Sequence, residues 1–266
     1  MGDPKEQGIP DVGFVVVAFT EEDMADKALA EMKAAQDKND FNFEEAAVIR
    51  QNEQGKVKYY ETGDMHGGKG AGIGALIGGV IGILGGPGGV ALGAGIGAAA
   101  GGIAASGDKG FRDENIETVG SALLPGTSAI VLITSHDALK AIQDKVPEED
   151  IRTAVANLSA EIADKLAQNK SLAVRFLASE AGFGFTEIAA DDNSAEVVGA
   201  VLTDEGIAAG AAVITDEGVA YKVASATPEG AGMEAGVITK EGAVIVDAAA
   251  TPDAPTDDPS AKTPSE

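Results

Sequence analysis

A twelve-residue beat between residues 167 and 242 constrains this chain most. Val201-Leu202-Thr203-Asp204-Glu205-Gly206 returns at 213–218 as VITDEG and at 237–242 as VITKEG. Thr227-Pro228-Glu229-Gly230 keeps the phase between those copies. Stepping backwards gives Asp191–Ser194, Ser179–Gly182 and Ala167–Lys170. Repetition at a fixed period outweighs any single motif. The tetrads place Asp, Asn or Pro early and mostly Gly late, which is turn chemistry. The eight-residue segments between them, such as Ser171–Ala178, Phe183–Ala190 and Val219–Ala226, have strand length. The pattern predicts an antiparallel meander of up to seven strands joined by tight hairpins. A β-solenoid with one coil per repeat is the rival, but a strand of eight leaves four residues to complete each coil. Ile207–Ala212 is rich in Ala and Gly and poor in strand formers, so a helix is the other reading there. A sheet this thin gains little alone and would gain from stacking on a second copy.

A second regularity lies at 69–106. No residue between Ala71 and Gly107 is charged. Glycines recur every four residues at Gly70, Gly74, Gly78, Gly82 and Gly86, then at Gly85, Gly89, Gly93, Gly97 and Gly101. Gly85-Gly86-Pro87-Gly88-Gly89 breaks the run. The spacing predicts two helical arms, about Ala71–Leu84 and Val90–Ala105, folded back on each other. Residues four apart share a helix face, so each arm carries a stripe that lets two backbones approach closely. Glycine costs about 1 kcal/mol per residue against alanine in a helix. Close packing, lipid or further copies must offset that. Each arm is shorter than the roughly 20 residues of a spanning helix. Partial insertion, a thinned bilayer or a protein core are the alternatives.

Around these stretches the chain reads as α+β. Val12–Phe19 is a nearly continuous apolar run, which suits a buried strand. Thr20-Glu21-Glu22-Asp23 starts a helix carrying Met24, Ala28, Leu29 and Met32. Strands follow at Phe41–Arg50 and Lys56–Thr62, around the turn Asn52–Gly55. Beyond the glycine arms come a helix at Asp113–Leu123, a turn at Pro125-Gly126, a strand at Ala129–Thr134 and a helix holding Leu139 and Ile142. That order, β-α-β-β-α-β, is ferredoxin-like, with two helices on one face of a four-stranded sheet. Pro147–Asp150 opens a further helix whose stripe is Ile151, Val155, Leu158, Ile162 and Leu166. The expected organisation is a flexible 1–11, a ferredoxin-like domain over 12–146 with the hairpin inserted at 70–106, an amphipathic helix at 147–168, an all-β repeat domain at 169–250 and a disordered acidic tail at 251–266.

The pieces VVVAFTEEDMADKALAEM, EEAAVIRQNEQGKVKYYET, the glycine hairpin and SALLPGTSAIVLI carry a resemblance. Over about Val12–Val146 the chain resembles the domain of unknown function 1269 family, often labelled predicted membrane proteins. The ordered combination ending in Leu124-Pro125-Gly126-Thr127-Ser128-Ala129 is its most specific part. The resemblance implies no activity, substrate or catalytic residue.

Chemistry is sparse. There is no Cys, which excludes disulfides and thiolate metal sites, and formal net charge is −24, which repels nucleic acid and anionic headgroups. Membrane contact must therefore be hydrophobic. The two histidines, His66 and His136, fall in no metal-ligand spacing. The acidic tetrads lack the EF-hand pattern and read as solvated turns. The glycine tract lacks the GK[ST] ending of a phosphate loop, and no serine sits in a GxSxG elbow. The N-terminus has neither an apolar signal core nor a myristoylation pattern. We therefore expect no enzyme, cofactor or metal. The leading reading is a self-associating structural protein whose association interface is Gly70, Gly74, Gly78, Gly82, Gly89, Gly93, Gly97 and Gly101. Its partner is itself, with the lipid bilayer as a second partner, and its place is the cytoplasmic side of a membrane. The alternative is a soluble, cytoplasmic stress-related or partner-binding module.

Overall fold

The computed structural model describes residues 12–37, 43–61, 113–145, 147–179 and 182–250. In chain order the elements are β1 (Val12–Phe19), α1 (Met24–Asp37), β2 (Glu45–Gln51), β3 (Val57–Glu61), α2 (Asp113–Ala122), β4 (Thr127–Ile133), α3 (His136–Lys145), α4 (Glu148–Ala167), β5 (Ser171–Ser179), β6 (Gly182–Ala190), β7 (Ser194–Thr203), β8 (Gly206–Thr215), β9 (Gly218–Thr227), β10 (Gly230–Thr239) and β11 (Gly242–Ala250). All eleven strands form one sheet in the order β11-β10-β9-β8-β7-β6-β5-β1-β4-β2-β3. The glycine arms and the tail lie outside the described residues.

β1 and β4 are unbroken apolar runs, and strands of that kind need cover on both faces. They receive it. On one face α1 lays Ala25, Ala28, Leu29 and Met32 against Val15, Val17, Ile130 and Leu132. On the other, Ile116 and Val119 of α2, Leu139 of α3, and Val155, Leu158 and Ile162 of α4 pack on Phe14, Val16 and Val131. Phe14 also stacks on Phe176 of β5, with ring centroids 4.7 Å apart. Each such side chain taken from water stabilises the fold by about 1.5–3 kcal/mol. This corrects the ferredoxin-like expectation of both helices on one face. The two crossover helices, α1 and α2, sit on opposite faces, because alternate residues of β1 and β4 are apolar on each side. The repeat also forms no sheet of its own, since β5 pairs with β1.

The family-like motif acts at long range. Gly126 has φ +82° and donates its N–H to the Gln51 carbonyl at 2.9 Å. The Thr127 hydroxyl donates to the Leu124 carbonyl at 2.7 Å and accepts from the Leu124 N–H at 3.0 Å. Ser128, fully buried, accepts the Ala25 N–H at 3.1 Å and donates to the Glu21 carbonyl at 2.6 Å. The hydroxyl that satisfies the first turn of α1 thus comes from β4.

The repeat is a meander, with β5 to β11 each antiparallel to the next. Neither the solenoid nor a helix over Ile207–Ala212 forms. Four of the tetrads share one geometry. Thr203 pairs with Gly206 across a two-residue loop. The Glu205 N–H donates to the Thr203 hydroxyl at 3.2 Å, and that hydroxyl donates to the Gly206 carbonyl at 3.4 Å. Thr215, Thr227 and Thr239 repeat both bonds. The closing glycine is required: Gly206 has φ +148°, and a Cβ there would meet the Ala226 carbonyl oxygen at 2.2 Å. The turn between β6 and β7 instead uses the Asp191 carboxylate, which accepts the N–H groups of Asn193 and Ser194 at 2.8 and 2.9 Å. Those bonds hold its pKa below the usual range. Because the first and last tetrad residues pair, strands run nine or ten residues rather than eight.

Candidate functional site

Helical cover ends at β6. Residues 171–176 of β5 are buried, whereas residues 242–249 of β11 are all exposed. Between them exposure rises from β6 to β11, with β9 and β10 alike. Beyond β7 the sheet is a single layer largely open to solvent on both faces among the described residues, with Ala212 of β8 still buried.

Directly paired residues in an antiparallel sheet project to the same face, and neighbours along a strand to opposite faces. The register therefore sorts every side chain. Phe176 pairs with Phe185, Phe185 with Ala200, Ala200 with Ala209, Ala209 with Ala224, Ala224 with Met233 and Met233 with Ala248. That row continues the face on which α2, α3 and α4 lie, here called the helical face. Val198, Leu202, Ile207, Val213, Met233, Val237, Val244 and Val246 share it, and all are exposed. From β8 to β11 one residue on that face is charged, Lys222.

The opposite face differs. Of the large exposed apolar residues in the repeat, Ile238 and Ile245 lie there. Glu234 and Asp247 pair across β10 and β11 on that side. The Tyr221 ring lies over Gly236, where a Cβ would come within 2.6 Å of it, and its hydroxyl donates to Glu234 at 2.6 Å. One face of the extension is thus a nearly uncharged Ala/Val surface, while the other has its own aromatic cover and acids.

A polar cluster marks the border where α4 stops. Lys165 bridges Glu161 at 3.3 Å and Glu196 at 3.6 Å, and Lys170 also holds Glu196. Glu187, half-buried beside them, has its pKa raised by burial and then by the neighbouring Glu161. The two sheet edges also differ. β3 is five residues long and carries Lys58 and Glu61, devices that discourage edge pairing. β11 has nine residues, one charge and no proline.

Elsewhere polar side chains pair with one another. His136 is held by Glu44 and by Glu45, the latter at 3.5 Å. Asp26 binds both Arg50 and the Tyr60 hydroxyl, and burial followed by Asp26 pushes the Tyr60 phenol up to about 12. A cavity of about 400 Å³ nearby is lined by Thr20, Glu21, Glu22, Asp23, Arg50, Glu53 and Gly126. Among the described residues no group of three His, Cys, Asp or Glu stands close enough to hold a metal ion. No described helix is long and apolar enough to cross a membrane.

The expected association interface, Gly70, Gly74, Gly78, Gly82, Gly89, Gly93, Gly97 and Gly101, falls outside the described residues, as does His66. Sequence reading found the strands but missed the sidedness of the repeat. The signal was present: two-residue hairpins place Leu202 opposite Ile207, and alternation then fixes both faces.

No curated protein and no solved structure matches the chain. Residues 71–171 match the family model described as a protein of unknown function (DUF1269). That segment runs from the glycine arms through β4 and α4 and ends at the first residue of β5, so over it the chain is similar to the DUF1269 family.

Proposed function

We propose that this chain is a non-enzymatic, self-associating structural protein. The observation that carries the reading is the extension β7–β11, an apolar single layer ending in an unprotected strand. Monomeric soluble proteins rarely leave contiguous apolar patches larger than a few hundred Å² in water. The glycine arms supply a second association element, a zipper at Gly74/Gly78/Gly82 and Gly93/Gly97/Gly101, which packs against its own copies or against lipid. Lys69 before the arms and Lys109 with Arg112 after them favour the cytoplasmic leaflet for both ends.

The test is sedimentation velocity on the full chain, together with flotation on neutral phosphatidylcholine vesicles. Oligomers, vesicle binding or both are expected. Gly78→Leu with Gly97→Leu should reduce whichever of these the arms support. A chain that stays monomeric from micromolar to hundreds of micromolar and does not float contradicts the reading.

A further inference from the structure

We propose that the helical face of β7–β11 is an interface for a second copy of this chain, the two single layers stacking face to face as a sandwich. The inference rests on the self-association reading and assigns it a surface. Five strands about 4.8 Å apart and ten residues long at about 3.4 Å each cover roughly 24 by 34 Å. That is about 800 Å², the area each partner contributes to a stable interface of standard size.

Chemistry selects the occupant. A charged partner finds one group to pair with on β8–β11 of this face, Lys222. An identical Ala/Val surface needs none, and small side chains on both sides let two sheets approach closely. The acids of the turns, Asp204, Glu205, Asp216 and Glu217, lie at the strand ends, so stacking leaves them hydrated around an apolar centre. Lipid fits less well. The open backbone edge of β11 would lack partners in hydrocarbon, and the acidic turns would meet headgroups. Edge-to-edge pairing through β11 would satisfy that edge but leave the Ala/Val face in water.

Ala224 and Ser225 are exposed neighbours in β9 that project to opposite faces. In the full chain, Ala224→Glu should weaken association at least about 100-fold, since it buries an unpaired charge in the stack, and Ser225→Glu should leave it within about two-fold. Lys222→Leu removes the one charge from β8–β11 of this face and should tighten association about ten-fold or more. A variant that misfolds and aggregates would not fit a reversible monomer–dimer equilibrium, so a gain in that equilibrium is not the product of misfolding. Association should also tighten as salt rises from about 0.1 to about 1 M, because like charges on the rims are screened. Sedimentation equilibrium reads all four. Association that survives Ala224→Glu and ignores Lys222→Leu overturns the stack and leaves self-association to the arms or the β11 edge. Loss with Ser225→Glu alone overturns it in favour of the other face. A parent that floats on vesicles in an Ala224-dependent way without forming dimers assigns the face to lipid and overturns it too. A monomer under all conditions ends both this inference and the reading beneath it.

Discussion

β1 and β11 carry almost the same central tripeptide and meet opposite fates. Val15-Val16-Val17 in β1 is at most 1% exposed, between two layers of helix. Val244-Ile245-Val246 in β11 is 69%, 53% and 64% exposed, on the outer edge of the sheet. Local sequence states that such a strand needs cover, and position in the sheet decides whether the same chain provides it. β1 sits between β4 and β5 in the helix-covered part of the sheet, where α1 reaches one face and α2, α3 and α4 the other. β11 lies four strands beyond β7, which α4 reaches through Lys165 and Glu196, and no described helix contacts β11.

The contrast makes the halves unequal in energy. Phe14→Ala in the covered half should cost about 3–5 kcal/mol, since it opens a cavity beneath α4 and removes a stacked ring. Val246→Ala, at protein concentrations low enough for monomers, should stay within about 0.5 kcal/mol. Urea unfolding followed by circular dichroism measures both. Similar losses at the two positions would erase the distinction.

Deletions sharpen it next. Removing Thr203–Ile214 takes out one repeat and turns every later strand over. Glu234 and Asp247 then join the helical face, and Val237 and Val246 leave it. Removing Thr203–Ala226 takes out two repeats and keeps every face as it was. The single deletion should reduce association by about 100-fold, a coupling near 2.7 kcal/mol, and more than the double deletion does. Equal loss, or a milder single deletion, would deny that sidedness matters.

A smaller effect is expected at the turns. Gly218 has φ +157°, and a Cβ there would lie 2.1 Å from the Ile238 carbonyl oxygen. Gly218→Ala should cost about 1–3 kcal/mol, felt as faster hydrogen exchange in β9–β11 with β1 and β4 unchanged. Faster exchange throughout the chain, β1 and β4 included, would mean the two halves open as one unit.

The smallest effect tests the border. Burial, followed by repulsion from Glu161, raises the Glu187 pKa in the folded chain above its unfolded value. The fold therefore prefers the protonated acid. Its contribution is complete below the unfolded carboxyl range and is lost as pH rises through the folded value. Glu187→Gln should raise Tm by a few degrees at about pH 7, and the gap should close near pH 4. A gap that widens toward acid would reverse the assignment.

Much of this was legible because it is local. The tetrads named their turns through Thr at the first position and Gly at the last, and the stripe of Ile151, Val155, Leu158 and Ile162 named α4. What stayed hidden is non-local. Nothing near Thr20 announces that Ser128, more than a hundred residues later, supplies the hydroxyl to α1. Nothing in the α2 stripe says which side of β2 and β3 it takes, although Gly120 fits closely there, with a Cβ reaching 2.7 Å from Val57. The apolar face of the repeat needed the register before Val198, Ile207 and Val237 could be placed together.

The central claim is that copies of this chain cover what one copy leaves bare. Hydrogen exchange on the full chain at two concentrations, about 1 µM and about 100 µM, tests it most directly, because association stabilises what it covers by mass action. Protection of β8–β11 should rise with concentration while that of β1 and β4 stays fixed. Exchange in β8–β11 that is fast and identical at both concentrations would contradict the claim.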